Sequence, residues 1–157
     1  MKWSLPPSNN MKTFHVKLVT PERLLLETEV AEVTLPIADG EVTILAEHVP
    51  YIGAIKAGEA LLKTAEGKTE VVAVSGGFVE FDNDILTILA DTAERAEDID
   101  IARAEEAKKR AEEIRNQAID MSEEEYARLA AMIEKEFTRI KVARKHASRR
   151  GPQIVSQ

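Results

Sequence analysis

Asp100 and Arg103 stand three residues apart, and Arg110 follows seven later, within the stretch EDIDIARAEEAKKR from Glu97 to Arg110. Guanidinium forks grip phosphate or carboxylate through charge-assisted hydrogen bonds. A carboxylate beside them can accept from a base or a ribose, or orient an arginine. On a helix the three fall within about 80° of one another. They would make one wall of an anion or nucleotide site. The alternative is that Asp100, or Asp98, caps the helix N-terminus while both arginines stay in water. Spacing alone favours the cap.

Other chemistry-bearing residues are sparse. The chain has no cysteine, so disulfides, thiolate metal sites and cysteine nucleophiles are excluded, and a reducing compartment is the default. His15, His48 and His146 are scattered, and no pair has metal-ligand spacing. His48 sits in the loop AEHVPY and reads as structural. Ser75-Gly76-Gly77 lacks the lysine and spacing of a phosphate-binding loop. Between two strand-like runs it reads as a bulge or a tight crossing. The run RIKVARKHASRR, Arg139 to Arg150, holds six lysines and arginines and no acid. Cations suit a helix C-terminus, and six of them in an acidic chain point to an acidic partner. Nucleic acid is the second reading for this tail. No catalytic triad, paired-carboxylate motif or zinc motif stands out.

These side chains need a scaffold, and the chain is long enough to supply one. It has 157 residues, 44 % hydrophobic and 31 % charged, as expected of a folded domain. Only 4 % are aromatic, so the core must be aliphatic. The net charge of −7 argues against general nucleic-acid binding. No apolar run approaches the ~20 residues of a membrane span, and the first ten residues lack a signal-peptide core.

Two grammars divide the sequence. All glycines but Gly151 lie between Gly40 and Gly77, and from Asp91 to Arg150 there is neither glycine nor proline. The first part alternates with period two over Phe14–Thr20 and Glu29–Ile37. Shorter runs follow: EVTIL, YIGAIK, EALLKTA, TEVVAVS, GFVEF and ILTILA, punctuated by turn signals. This predicts an antiparallel sandwich or barrel. In the second part Ala104, Ala107, Ala111, Ile114 and Ala118 form a helical stripe. Ser122 and Glu125 form a capping box. Tyr126, Leu129, Ala130, Ile133, Phe137 and Ile140 form a second stripe. A two-helix hairpin follows, closed by an alanine seam that buries little area. The expected organisation is α+β in two parts: a flexible extension or expression remnant over 1–10, a β-sandwich over 11–92, a helical hairpin over 93–150 and a flexible tail over 151–157.

The stretches FHVKLVTPERLLLETEVAEVTLPIADGEVTILAEHVPYIGAI and VSGGFVEFDNDILTILADTAERAEDIDIARA resemble the epsilon subunit of bacterial F-type ATP synthase. The resemblance runs from about Met11 to Lys145. It implies a ten-stranded N-terminal sandwich followed by two helices. It also implies a non-catalytic central-stalk subunit, peripheral on the cytoplasmic face of the bacterial plasma membrane. The partners it implies are the gamma subunit, the c-ring loops and the catalytic alpha and beta subunits, in proton-driven ATP synthesis. Glu41 and His48 fall in the loop region that faces gamma and the c-ring in the family. Glu47 departs from the glycine often found before that histidine.

The hairpin is implied to regulate. Docked on the sandwich it permits turnover; extended along gamma it blocks ATP hydrolysis. The family's I/L-D-x-x-R-A motif, which binds ATP, is matched by Ile99, Asp100, Arg103 and Ala104. Similarity adds Glu94, Arg110, Lys135 and Arg139 as ATP contacts. Lys135 is a departure, because lysine cannot give a planar fork to phosphate. Arg139, Lys141, Arg144 and Lys145 are implied to meet the catalytic subunits. No cofactor is required; ATP is a regulatory ligand, with the role of magnesium left open. The competing readings are a free-standing nucleotide-sensing or scaffold protein on the same fold, and an autonomous ATPase.

Overall fold

The computed structural model describes residues 11–150. The expectations for 1–10 and 151–157 lie outside the described residues. Eight strands come first: β1 (Phe14–Val19), β2 (Leu24–Val30), β3 (Glu32–Ile37), β4 (Gly40–Leu45), β5 (Tyr51–Lys63), β6 (Thr69–Asp82), β7 (Ile85–Ala90) and β8 (Ala93–Arg95). A short 3₁₀ turn, Ala96–Asp98, leads to α1 (Ile101–Gln117) and α2 (Glu123–Arg150). This is the expected sandwich followed by two helices.

The strands form one hydrogen-bonded sheet in the order β2-β1-β7-β6-β5-β3-β4, with β8 added on β6. Alternation is what lets it fold over itself. On β1, Phe14, Val16 and Leu18 point inward while His15, Lys17 and Val19 are half-buried, as a period of two requires. The inward set joins Val33, Leu35, Ile44, Leu62, Val79, Phe81, Leu86 and Ile88 in one aliphatic core. Its aromatic contact is an edge-to-face pair, Phe14 on Phe81, with ring centres 5.4 Å apart.

Three details differ from expectation. The resemblance implies ten strands, and eight are found among the described residues, where β5 and β6 are each continuous although the sequence shows two runs. The run Glu29–Ile37 is instead divided at Ala31, and β2 begins as early as Leu24, where three consecutive leucines hide the alternation. One pairing is parallel, β1 with β7; the others are antiparallel.

The length of β6 depends on Ser75-Gly76-Gly77. Upstream of it, Val72, Ala73 and Val74 pair with Arg95, Glu94 and Ala93 of β8. Downstream, Gly77 to Asp82 pair with β7. Gly76 and Gly77 have φ of +85° and +127°, values that glycine alone adopts readily. The tight crossing is therefore correct.

The helices pack as a hairpin laid on the sandwich. Ser122 and Glu125 form the capping box: Glu125 N–H donates to Ser122 Oγ at 3.2 Å, and Ser122 N–H donates to the Glu125 carboxylate at 3.0 Å. Ala104 and Ala111 are buried in the seam, but Ile114 is half exposed, so the seam opens toward the tip. The stripe on α2 holds only in part. Ile140 is buried, whereas Tyr126 and Phe137 are exposed and Phe137 lies under Lys108 Nζ at 5.4 Å. Glu136, Thr138, Val142 and Ala143 are buried instead. The reason is that α2 serves two surfaces, α1 and the sheet, and a single stripe describes one. Against the sheet, Val142 and Ala143 meet Val71, Ala73, Ala96 and Ile99 in a small second core.

Candidate functional site

β8 and α2 build a polar junction. Pairing of Ala73 with Glu94 fixes the Glu94 backbone at the sheet edge. Arg139 reaches it from α2. Its Nε donates to Glu94 Oε2 at 2.7 Å and its Nη2 to Glu94 Oε1 at 3.2 Å, a bidentate fork. Its Nη1 donates to Glu136 Oε2, three residues earlier on the same helix, at 2.6 Å. The hydrogen bonds that Arg139 donates to Glu94, ahead of the one to Glu136, hold the guanidinium's pKa above its ordinary value.

A cavity of about 340 Å³ opens beside this junction. Glu94, Lys135 and Arg139 line it, together with Thr138, Asp98, Asp91, Ser75, Thr92 and the Arg23 side of the β1–β2 turn. The Ser75 and Thr92 hydroxyls bond to each other across its floor. Three of the residues named for nucleotide contact are thus brought together.

The others lie apart from it. Asp100 is the N-cap of α1: its carboxylate accepts from Arg103 N–H at 3.1 Å. The Arg103 side chain is 86 % exposed, its Nε 3.4 Å from Asp100. Here the capping alternative describes what Asp100 does. Ile99 and Ala104 are buried, in the second core and in the hairpin seam, and Arg110 is exposed on α1. None of these five lines the cavity.

The residues read for partner contact divide likewise. Glu41 is exposed on β4. His48 is half-buried, its ring edge-to-face with Tyr51 and Phe81 at 6.2 and 5.9 Å, which is the structural role expected. Along α2 the basic run turns back on its own chain. Arg144 pairs with Glu105. Lys145 and Arg149 share Glu59 Oε1 at 3.1 and 3.2 Å, and Arg150 reaches Glu97 at 3.3 Å. Lys141 is exposed and makes no ion pair among the described residues.

Two functional candidates escape sequence reasoning. Glu136 is buried beside Arg139; its signal is the i,i+3 spacing on a helix face. Glu59 has a side chain only 11 % exposed. Its signal is a glutamate two residues from Leu61 on the same strand face, with Ala73 and Val71 opposite the pair.

Comparison with known proteins accords with this architecture. A family model described as "ATP synthase, Delta/Epsilon chain, beta-sandwich domain" matches residues 13–96. An ATP synthase epsilon chain of Nitratidesulfovibrio vulgaris is 41 % identical over 131 residues, 83 % of this chain and 96 % of the relative. One from Desulforamulus reducens is 44 % identical over 132 residues, 84 % and 98 %. One from Priestia megaterium is 53 % identical over 102 residues, 65 % and 75 %. Among solved structures, a chain of the mitochondrial ATP synthase of Euglena gracilis shares the fold at a TM-score of 0.68 and 20 % identity, covering 92 % of this chain and 87 % of that one. The sandwich, the two helices that follow it and relatives that match across both leave one assignment: this chain belongs to the ATP synthase epsilon chain family.

Proposed function

We propose that this chain is a non-catalytic central-stalk subunit. It joins gamma to the c-ring through its sandwich and restrains ATP hydrolysis through its helical hairpin. The observation that carries the reading is the match across both parts of the chain, sandwich and hairpin together, to ATP synthase epsilon chains. The nature of the docked interface supports a hairpin that moves. Its apolar part is small: Val142 and Ala143 on Val71, Ala73, Ala96 and Ile99. Burial stabilises by roughly 25 cal/mol per Å², so side chains of this size give a modest clasp. The remainder is ion pairs, which an acidic partner can exchange.

ATP is the regulatory ligand in this proposal. Lys135, Arg139 and the cavity supply cations for phosphate, and Asp100, Arg103 and Arg110 lie on the adjoining helix. A ligand shifts the hairpin only by its differential affinity for the docked state. The chain acts on the cytoplasmic face of the membrane as a peripheral subunit. None of the helices among the described residues is long and apolar enough to cross it.

The test is steady-state ATP hydrolysis by reconstituted complexes. Removing 97–157 should release hydrolysis and leave assembly intact; unchanged rates would make the chain a coupling stalk without an inhibitory role. Calorimetric titration of the isolated chain with ATP, with and without magnesium, tests the ligand. Failure to co-purify with gamma would favour a free-standing nucleotide sensor.

A further inference from the structure

Among the described residues, three other than glycine hold a left-handed backbone: Glu47 at φ +63°, Asn83 at +48° and Asp84 at +57°. Such conformations cost free energy and persist only where the surroundings fix them. Asn83 and Asp84 are the central residues of the β6–β7 hairpin, whose last pair is Asp82 with Ile85. A two-residue turn of this hand requires that backbone. The carbonyl of Asp84 also accepts from His15 N–H of β1 at 3.0 Å. The backbone of Asp84 is thus fixed from both sides. Glu47 lies in no such hairpin. It stands in the loop between β4 and β5, residues 46–50. Its N–H donates to Asp84 Oδ1 at 2.7 Å, 37 residues away in sequence. Its own carboxylate meets Lys12 Nζ at 2.6 Å, but both side chains are largely exposed, and such a pair contributes little.

We propose that Asp84 is a positioning residue for this loop: its carboxylate holds Glu47 left-handed and so sets where residues 48–50 point toward the rest of the rotor. His48 follows directly, with its ring seated against Tyr51 and Phe81. Val49 comes next and is 70 % exposed, with Leu45 and Ile52 exposed on the flanking strands. An apolar side chain held out in water by a fixed backbone is preorganised, because its ordering cost is met before a partner arrives. Without the carboxylate, Glu47 relaxes toward ordinary backbone and the loop keeps its shape only part of the time. The apparent affinity falls by that fraction.

This inference rests on the proposed stalk role, in which the His48 loop meets the partner subunits, and deepens it. The full chain, fluorescently labelled, is titrated into ATP synthase reconstituted without it. Asp84→Gly removes the carboxylate and keeps the turn, because Asn-Gly is a preferred pair there. It should bind about fivefold more weakly, the scale of losing a carboxylate that caps a backbone N–H. The Glu47 amide of the free chain should also exchange faster with solvent. Asp84→Asn keeps an oxygen acceptor and tolerates the left-handed backbone, and should stay within about twofold of wild type on the same scale. Glu47→Gly adopts the left-handed φ unaided, so adding Asp84→Gly to it should cost less than about twofold. Wild-type affinity in Asp84→Gly overturns the proposal. So does an equal loss in Asp84→Asn, because charge rather than the acceptor then matters. So does an undiminished loss on the Glu47→Gly background, because Asp84 then touches the partner itself. Amide exchange separates this inference from the reading beneath it. A wild-type chain that fails to bind the enzyme removes the stalk role, and the exchange of Glu47 across the same variants then decides by itself whether Asp84 sets the loop.

Discussion

A Cβ built on Gly77 would stand 2.0 Å from the carbonyl oxygen of Leu89 and 2.8 Å from the Cα of Ala90. The neighbouring backbone is part of a paired strand and has no room to yield. Gly77→Ala should therefore cost about 3 kcal/mol or more, combining a left-handed φ with a backbone clash. Urea unfolding followed by near-ultraviolet circular dichroism measures it. A loss under 1 kcal/mol would mean that β6 and β7 separate at that point without penalty.

Lys141 separates two roles of the basic run. Arg139, Arg144 and Lys145 hold carboxylates of their own chain, so their removal weakens the docked hairpin as well as any partner contact. Lys141 makes no such pair among the described residues. Lys141→Ala should reduce inhibition of hydrolysis in reconstituted complexes by up to about fivefold, the ~1 kcal/mol ceiling of an exposed pair. Hydrogen exchange of α2 in the isolated chain should not change. Faster exchange in α2 would contradict the assignment of Lys141 to the partner alone.

Glu59 predicts an asymmetry. Removing its two cations with Lys145→Ala/Arg149→Ala leaves a carboxylate buried without a partner, which costs about 3 kcal/mol or undocks the hairpin. Glu59→Gln leaves two cations that are 50 % and 44 % exposed and can turn to water. Its cost should be smaller, about 1 kcal/mol. Protection of α2 amides compares the two, and equal losses would mean that burial of Glu59 is immaterial. Rising salt should loosen both wild type and variants.

His15 carries a pH signature. Its Nε2 lies 2.8 Å from Glu27 and its Nδ1 3.0 Å from Glu29. The hydrogen bond to Glu27, then that to Glu29, raises its pKa above the ordinary 6.5. A raised folded pKa means stability fully present below the unfolded value and lost as pH rises through the folded one. Wild type should thus exceed His15→Gln in stability below the ordinary histidine range and lose that margin as pH rises through the raised folded value. Thermal unfolding across this range checks it; a margin that grows with pH would reverse the sign.

The sandwich was legible because a core on one face imposes alternation, as Phe14, Val16 and Leu18 display. Strand ends were legible only where a turn residue marked them. Nothing local tells that EALLK continues YIGAIK, because Lys56-Ala57-Gly58 reads as a turn and is held extended by pairing with β6. A cap at this helix start was legible from residue type and position, which left Asp98 and Asp100 open; the structure gives Asp100. The resemblance named Glu94 and Arg139 for one site, but spacing could not show that they pair: Glu94 is 45 residues away, and the pairing of β8 with β6 brings it into reach. Glu136 and Glu59 were hidden for a related reason. A charge is read as solvent-facing until the surface that covers it is known.

In the proposed movement of the hairpin, the three residues of β8 would set where it swings from. Ala93–Arg95 are riveted to β6 by strand pairing, so the first segment past the sheet is the 3₁₀ turn, Ala96–Asp98. Beyond it lie 17 residues of α1 and 28 of α2, which measure about 26 and 42 Å at 1.5 Å per residue. Laid end to end they form a lever several times longer than the turn that carries it. A rotation of a few degrees at Ala96 is multiplied into a displacement of many ångströms at the far end. The reach of a hairpin that left the sandwich would thus be set by helix length, and its point of leverage by three strand residues.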